Sequence, residues 1–242
     1  MLNCLKSNVI ISSDNLASWP FNSIVGSESL NGFAHGTSGI IPVLCNLINE
    51  NIEVDTSADL FTKALNFDRT FYDHNKKCFC DGRYWPNEKF DSLVWCHGSP
   101  GIALSRLLML KNNRVSIPVP ISEIEDEISE IGEKMYKESL EINGMSLCHG
   151  TLSNAEILRA IGYYTNNDLF INKANLYIEE ICEQILEDDN LLFGGKNIMN
   201  YGLFSGISGI GYQMLRFFNW SKTPSILVLE PSTFKHENPF LH

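Results

Sequence analysis

A cysteine thiolate beside an imidazole is a donor pair suited to Zn²⁺ more than to any other common biological metal. The chain carries such a pair twice, in Trp95-Cys96-His97-Gly98 and in Leu147-Cys148-His149-Gly150. Each is followed by an apolar run of helical character, and the two cysteines lie 52 positions apart. One such triplet would say little. Two in the same local setting predict that the two loops meet in space and hold a zinc ion. A further histidine, His35, stands in a related stretch, Gly32-Phe33-Ala34-His35-Gly36-Thr37-Ser38-Gly39-Ile40.

These positions recur because the chain repeats. Gly36, Gly98, Gly150 and Gly206 hold matching places, separated by 62, 52 and 56 residues. Each unit reads as glycine turn, apolar helix, loop, amphipathic helix. A helical hairpin cannot cover its own apolar face, so the copies are expected to stack, apolar helices inside and charged ones outside. Glycine is expected to give each turn a positive φ and a close approach to its neighbours. The equivalent turns then gather His35, Cys96, Cys148 and His149 at one end of the array.

Residues 1–30 read as irregular, with no convincing amphipathic helix. Ser38 is a candidate N-cap for the run Ile40–Ile48. Ala58, Phe61, Leu65 and Asp68 follow helical spacing over 57–68. Cys78–Trp85, around Asp81-Gly82, reads as a hairpin or turn. Ser99 and Pro100 open a helix with Ile102–Leu110 as its body, since proline is favoured in a first turn. Ile124, Ile128, Ile131 and Met135 form one stripe of a helix over 121–140, whose acidic run Glu123–Glu133 reads as a solvated outer face. Ser153 and Glu156 fit a capping box for a helix to about Tyr164. Phe170–Leu186 and Tyr212–Phe218 complete the helices, and Pro224–Pro231 reads as extended. Cys4, Cys45 and Cys182 read as packing residues, Cys78 and Cys80 as free thiols, and His74, His236 and His242 as solvated.

With 242 residues, 44% of them apolar and 19% charged, the chain can bury a core as one domain or two at most. Its net charge of -11 argues against gripping nucleic acid or anionic lipid. No run approaches the roughly 18 apolar residues of a membrane span, and no signal peptide is legible. Seven cysteines without a secretion signal point to a reducing cytoplasm.

Gly-Phe-Ala-His-Gly-x-Ser-Gly-Ile, Trp-Cys-His-Gly-x-Pro-Gly-Ile, Leu-Cys-His-Gly and Ser-Gly-Ile-Ser-Gly-Ile-Gly-Tyr-x-x-Leu-Arg, in this order, resemble the lanthionine synthetase C-like cyclases. The closing Pro-Ser-Ile-Leu-Val-Leu-Glu resembles the end of the bifunctional class II lanthipeptide synthetases. The resemblance implies an all-α fold, an α/α toroid of about seven stacked hairpins of which this chain has room for about four. Residues 1–242 would then be one cyclase domain incomplete at its N-terminus, with the motifs in 31–231. As a truncated stack it is expected to be marginally stable and to self-associate.

What the resemblance implies chemically is addition of a peptide cysteine to dehydroalanine or dehydrobutyrine, giving lanthionine or methyllanthionine thioether rings. Such an enzyme is a carbon–sulfur bond-forming cyclase of the lyase class, acting in lantibiotic biosynthesis on a dehydrated precursor peptide. An upstream dehydratase or cyclase fragment and a transporter complex are further implied partners. A thiol with a pKa of about 8.5 is mostly protonated at neutral pH, and zinc deprotonates it on binding. The resemblance places zinc ligands at Cys96, Cys148 and His149, with a fourth position open, and the acid/base histidine at His35. His97 falls outside the ligand set, because four protein ligands make a closed, structural centre. The pattern departs at Ser92, where the simple cyclases carry arginine, and in an assisting aspartate that would lie before residue 1. A zinc-, thiol- or peptide-binding fragment without turnover is the alternative. A toroidal glycosidase would need opposed carboxylates where these turns carry cysteine and histidine.

Overall fold

A computed structural model describes residues 1–21, 29–112, 114–138, 144–187 and 200–229. Described helices dominate, with four short strands as the exception to an all-α reading. None of the described helices is long and apolar enough to cross a membrane. The chain divides into two compact units, Met1–Ile131 and Gly132–His242.

The first unit opens with α1 (Leu2–Asn8) and an antiparallel pair, β1 (Ile10–Ser13) and β2 (Leu16–Ser18). This corrects the expectation of an irregular N-terminus. Ala17 is fully buried, β2 packs on the helix that follows 54, and the Trp19 indole N–H donates to the Leu5 carbonyl at 2.9 Å. The signal is weak in sequence because the strands are short and β1 is exposed throughout.

Helices α2 (Thr37–Asn49) and α3 (Val54–Arg69) form a hairpin, and α4 (Ser99–Leu110) packs on α2. Pro42 lies inside α2 and has no N–H for the Ser38 carbonyl one turn earlier. The Ser105 hydroxyl of α4 donates to that carbonyl at 2.6 Å. A gap in one helix thereby becomes a bond between two.

The cap of α2 is Gly36, not Ser38. Ser38 is fully buried and donates to Asp68 at 2.7 Å. Arg106, also fully buried, pairs with Asp68 at 2.7 Å and with Glu127 at 3.0 Å. Arg69 reaches Glu127 and Glu123 at 2.8 and 2.6 Å. Asp68, which follows the helical spacing of Ala58, Phe61 and Leu65, is thus on the buried face for its charge. Glu127 belongs to α5 (Ile121–Lys137), whose Ile124, Ile128, Ile131 and Met135 are buried as the stripe requires. The acidic run beside that stripe is not simply solvated. Glu127 is buried, and Glu130 accepts from Tyr72 and pairs with Lys77.

Of the hairpin or turn expected around Asp81-Gly82, the turn is found at 82–87 and the hairpin lies earlier. β3 (Tyr72–Asp73) pairs with β4 (Cys78–Phe79), and Asp81-Gly82 belongs to the loop after it. Ser99, the first residue of α4, fixes β4 by accepting from the Phe79 N–H at 3.0 Å and donating to its carbonyl at 3.3 Å.

In the second unit α6 (Thr151–Thr165) and α7 (Asp168–Glu187) form a hairpin, followed by α8 (Ile207–Phe218). The capping box is absent here as well, since Gly150 caps α6 and Ser153 donates back to the Gly150 carbonyl. Glu156 is buried and turns to α8 and beyond. It accepts from Gln213 at 2.6 Å, Arg216 at 3.0 Å and Ser225 at 2.5 Å. Tyr212 donates to the Pro224 carbonyl at 2.9 Å. These bonds tie Pro224 and Ser225 to the helices, and 226–229 form turns where the sequence suggested strand-like or extended chain. Residues 230 and 231 of that expectation, and His236 and His242, lie outside the described residues.

Candidate metal and proton-transfer site

The four glycine turns share one construction. The N–H after the glycine reaches back seven residues: Thr37 to Leu30 at 3.0 Å, Thr151 to Gly144 at 2.8 Å, Ile207 to Asn200 at 2.8 Å. At the second turn the Asp91 carboxylate substitutes, accepting from the Ser99 N–H at 3.0 Å. The glycines do not need positive φ, contrary to expectation; all four are extended. They need to lack a side chain. A Cβ would sit 2.3 Å from the Asn31 carbonyl oxygen at Gly36, 2.8 Å from the Leu93 nitrogen at Gly98, 2.4 Å from the Ser146 nitrogen at Gly150 and 2.1 Å from the Asn200 oxygen at Gly206.

Neighbouring turns are joined within each unit by the same bond. The Ala34 N–H donates to the Cys96 carbonyl at 3.3 Å, and the Cys148 N–H to the Phe204 carbonyl at 2.8 Å. Ala34, Cys96, Cys148 and Phe204 all stand two residues before their glycine. His35, His97, His149 and Ser205 all stand one before it.

In the first unit this construction brings three of the expected residues together. Ligand atoms of His35, Cys96 and His97 lie within 4.8 Å of one another. The His35 and His97 rings stack, with centroids 4.6 Å apart and planes at 26°. Gly32 makes this possible. Its φ is +100°, and a Cβ there would lie 2.7 Å from the Cys96 oxygen and 2.8 Å from the His97 Cα. His35 is half-buried, whereas Cys96 and His97 are buried. Burial lowers the His97 pKa to about 4, assisted by the charges of Arg83 and His35, so the ring is neutral at pH 7. Phe21 stands edge-on to His35 at 5.2 Å.

Arg83 was not singled out by the sequence. It lies two residues after Asp81 and grips that fully buried carboxylate with two nitrogens, at 2.6 and 3.0 Å. Its charge acts on both His97 and Cys96. The loop that carries it is fixed to the first turn through Asn31, which donates to the Cys80 carbonyl at 2.7 Å and accepts from the Gly82 N–H at 2.8 Å. The arginine directly after Asp81-Gly82 was the legible signal.

In the second unit Cys148 and His149 are half-buried on the turn before α6. Thiol and imidazole at these turns are the donor types that zinc takes in catalytic sites, so the residues fit that metal. The other thiols are less suited. Burial pushes Cys45 up to about 12 and Cys80 up to about 11. Cys4, expected to pack, is exposed.

A family model described as "Lanthionine synthetase C-like protein" matches residues 1–228. The Lacticin 481/lactococcin biosynthesis protein LcnDR2 of Lactococcus lactis subsp. lactis is 28% identical over 207 residues, or 81% of this chain and 21% of that protein. A solved structure of "Nisin cyclase" matches with a TM-score of 0.60 at 23% identity, over 80% of this chain and 48% of that one. The chain therefore spans about a fifth of the one relative and about half of the other. The structural likeness concerns the fold, an α/α toroid.

Proposed function

The chain belongs to the lanthionine synthetase C-like family, and on that premise we propose that it forms thioether rings in a dehydrated precursor peptide. The reading is carried by one observation: thiol and imidazole side chains occupy matching positions of successive glycine turns inside a family match over residues 1–228. Cys96, Cys148 and His149 would hold zinc, which when bound supplies the substrate cysteine as thiolate. The reaction joins that sulfur to the β-carbon of dehydroalanine or dehydrobutyrine. The former double-bond pair becomes an enolate, and a proton returns to the α-carbon, so the product has the mass of the reactants.

His35 is the residue for that proton. It is half-buried, which leaves it reachable by a peptide, and it stacks on a histidine that stays neutral at pH 7. Arg83 adds a fixed positive charge that favours anionic species nearby, and Asp81 fixes its direction. The carbon–sulfur bond-forming, lyase-class activity, the cytoplasmic setting, and an upstream dehydratase or cyclase fragment or transporter complex as partners belong to the same proposal.

The test is a peptide bearing one cysteine and one dehydroalanine, incubated with zinc-loaded and zinc-stripped chain. Ring closure is read as loss of a thiol that can be alkylated, since mass does not change. The zinc-loaded chain is expected to close the ring faster. His35→Asn is expected to slow closure by about 10²–10⁴-fold with zinc content unchanged. Equal rates with and without zinc would refute the reading. Tight zinc and peptide binding without closure would leave only a binding function.

A further inference from the structure

The proposed ligand set leaves His97 without a task, although it is the best-placed imidazole of the first unit. It lies against Cys96 in sequence and against His35 in space, and its Nδ1 is buried with no hydrogen-bond partner among the described residues. We propose that His35, Cys96 and His97 form a second, alternative zinc position, built wholly within Met1–Ile131 and sharing Cys96 with the first.

Several observations carry this. One thiol and two imidazoles are a sufficient zinc set with a fourth position left for solvent. Their ligand atoms already lie within 4.8 Å of one another, and zinc bound at about 2.0–2.3 Å from each donor can be surrounded after side-chain rotation alone. The backbone that presents them is fixed rather than loose. Ala34 bonds to the Cys96 carbonyl, Gly32 packs on the Cys96 oxygen and the His97 Cα, and Asn31 ties the first turn to the 80–82 loop. Arg83, whose charge acts on His97 and Cys96, is already paired in two-point fashion by Asp81. Asp81 offsets part of that charge before a metal arrives.

The consequence is regulatory. A zinc ion in this position occupies His35, the residue assigned to proton transfer, and takes Cys96 from the other set. Excess zinc would then inhibit rather than activate. This part rests on the proposed function; the metal position itself does not.

Cobalt(II) titration of the full chain tests it, because a thiolate ligand gives cobalt a near-ultraviolet charge-transfer band. In Cys148→Ser/His149→Gln, which removes the other donors with little change of volume, one equivalent of cobalt is expected to bind with that band and to be displaced by zinc. Adding His97→Ala or His35→Ala is expected to weaken binding by about tenfold or more, and His97→Cys to restore it with a stronger band. Far-ultraviolet circular dichroism checks that the variants fold. If the double variant does not, His149→Gln alone is titrated with the same expected dependence on His97. No thiolate band in the folded variants, or a band indifferent to both histidines, would overturn the proposal. The ligand set of the preceding subsection fails separately, if Cys148→Ser/His149→Gln binds as tightly as the unaltered chain.

Discussion

At the scale of single residues, the most instructive are those whose side chains replace something the backbone lacks. Ser105 donates to the Ser38 carbonyl that Pro42 leaves without its helical partner. Ser105→Ala should lower stability by about 1–3 kcal/mol, because a buried carbonyl loses its donor. Pro42→Ala restores an N–H to the same carbonyl, so the double substitution should recover part of the loss. Urea unfolding of the two singles and the double measures the coupling, and strictly additive losses would show that the two sites do not share the carbonyl. Asp81 gives a pH-dependent counterpart. Burial pushes its carboxyl up, but the Arg83 fork and the Arg83 N–H outweigh it and hold the group below its usual range. A depressed carboxylate contributes stability above the unfolded value of about 3.9 and loses it as pH falls through the folded value. Asp81→Asn should therefore be less stable at neutral pH and less sensitive to acid below about pH 4. An acid-unfolding curve parallel to that of the unaltered chain would contradict this.

At the scale of elements, every helix seen among the described residues after the first was expected from the sequence, by an apolar period, an apolar run or a start signal, though α8 begins at Ile207 and not at Tyr212. Ile124, Ile128, Ile131 and Met135 of α5 show why: a stripe of large apolar side chains has one use. Caps and charges were less legible. Ser38 and Ser153 stand where an N-cap belongs, yet both lie inside their helices. A glycine two or three residues earlier ends the non-helical chain, because nothing larger fits there. The acidic run on α5 looked like a solvated face because its partners, Arg69 and Arg106, come from helices far away in sequence. Such pairing cannot be read from local period. The ion network yields an expectation of its own. Arg106→Leu leaves Asp68 and Glu127 buried with less compensation and should cost about 3–5 kcal/mol, read as a shift in the urea midpoint. A near-neutral result would mean that Ser38 and Arg69 suffice for the two acids.

Across the whole chain, the matching turns and the thiols and imidazoles on them were legible, and their assembly only in part. The sequence placed His35, Cys96, Cys148 and His149 at matching turns, and the structure presents them on turns of common construction. It did not bring His97 into the set with His35, because stacking across neighbouring turns depends on Gly32 at +100°, a backbone feature with no local periodicity. The glycines were legible as turn markers for the wrong reason. Alanine at Gly36, Gly98, Gly150 or Gly206 should destabilise by about 1–3 kcal/mol or more through backbone overlap. Gly206 should be worst and Gly98 mildest, following the closest approaches of 2.1 and 2.8 Å. Thermal melts of the four variants check the order, and uniform small losses would indicate that the turns open freely.

The seven-residue closing bond uses only backbone groups at three of the turns, although at the fourth the Ser205 hydroxyl also accepts from the Asn200 side-chain amide at 3.0 Å. Three turns carry imidazole at the nearer place, and two carry thiol at the farther one. The fourth carries Ser205 and Phe204. To a protein engineer these are interchangeable sockets on a common plug. Writing Phe204→Cys and Ser205→His into the fourth removes the Ser205 hydroxyl bond but keeps both backbone acceptors of that turn, and would install a new donor pair next to Cys148 through the bond that already joins those two turns.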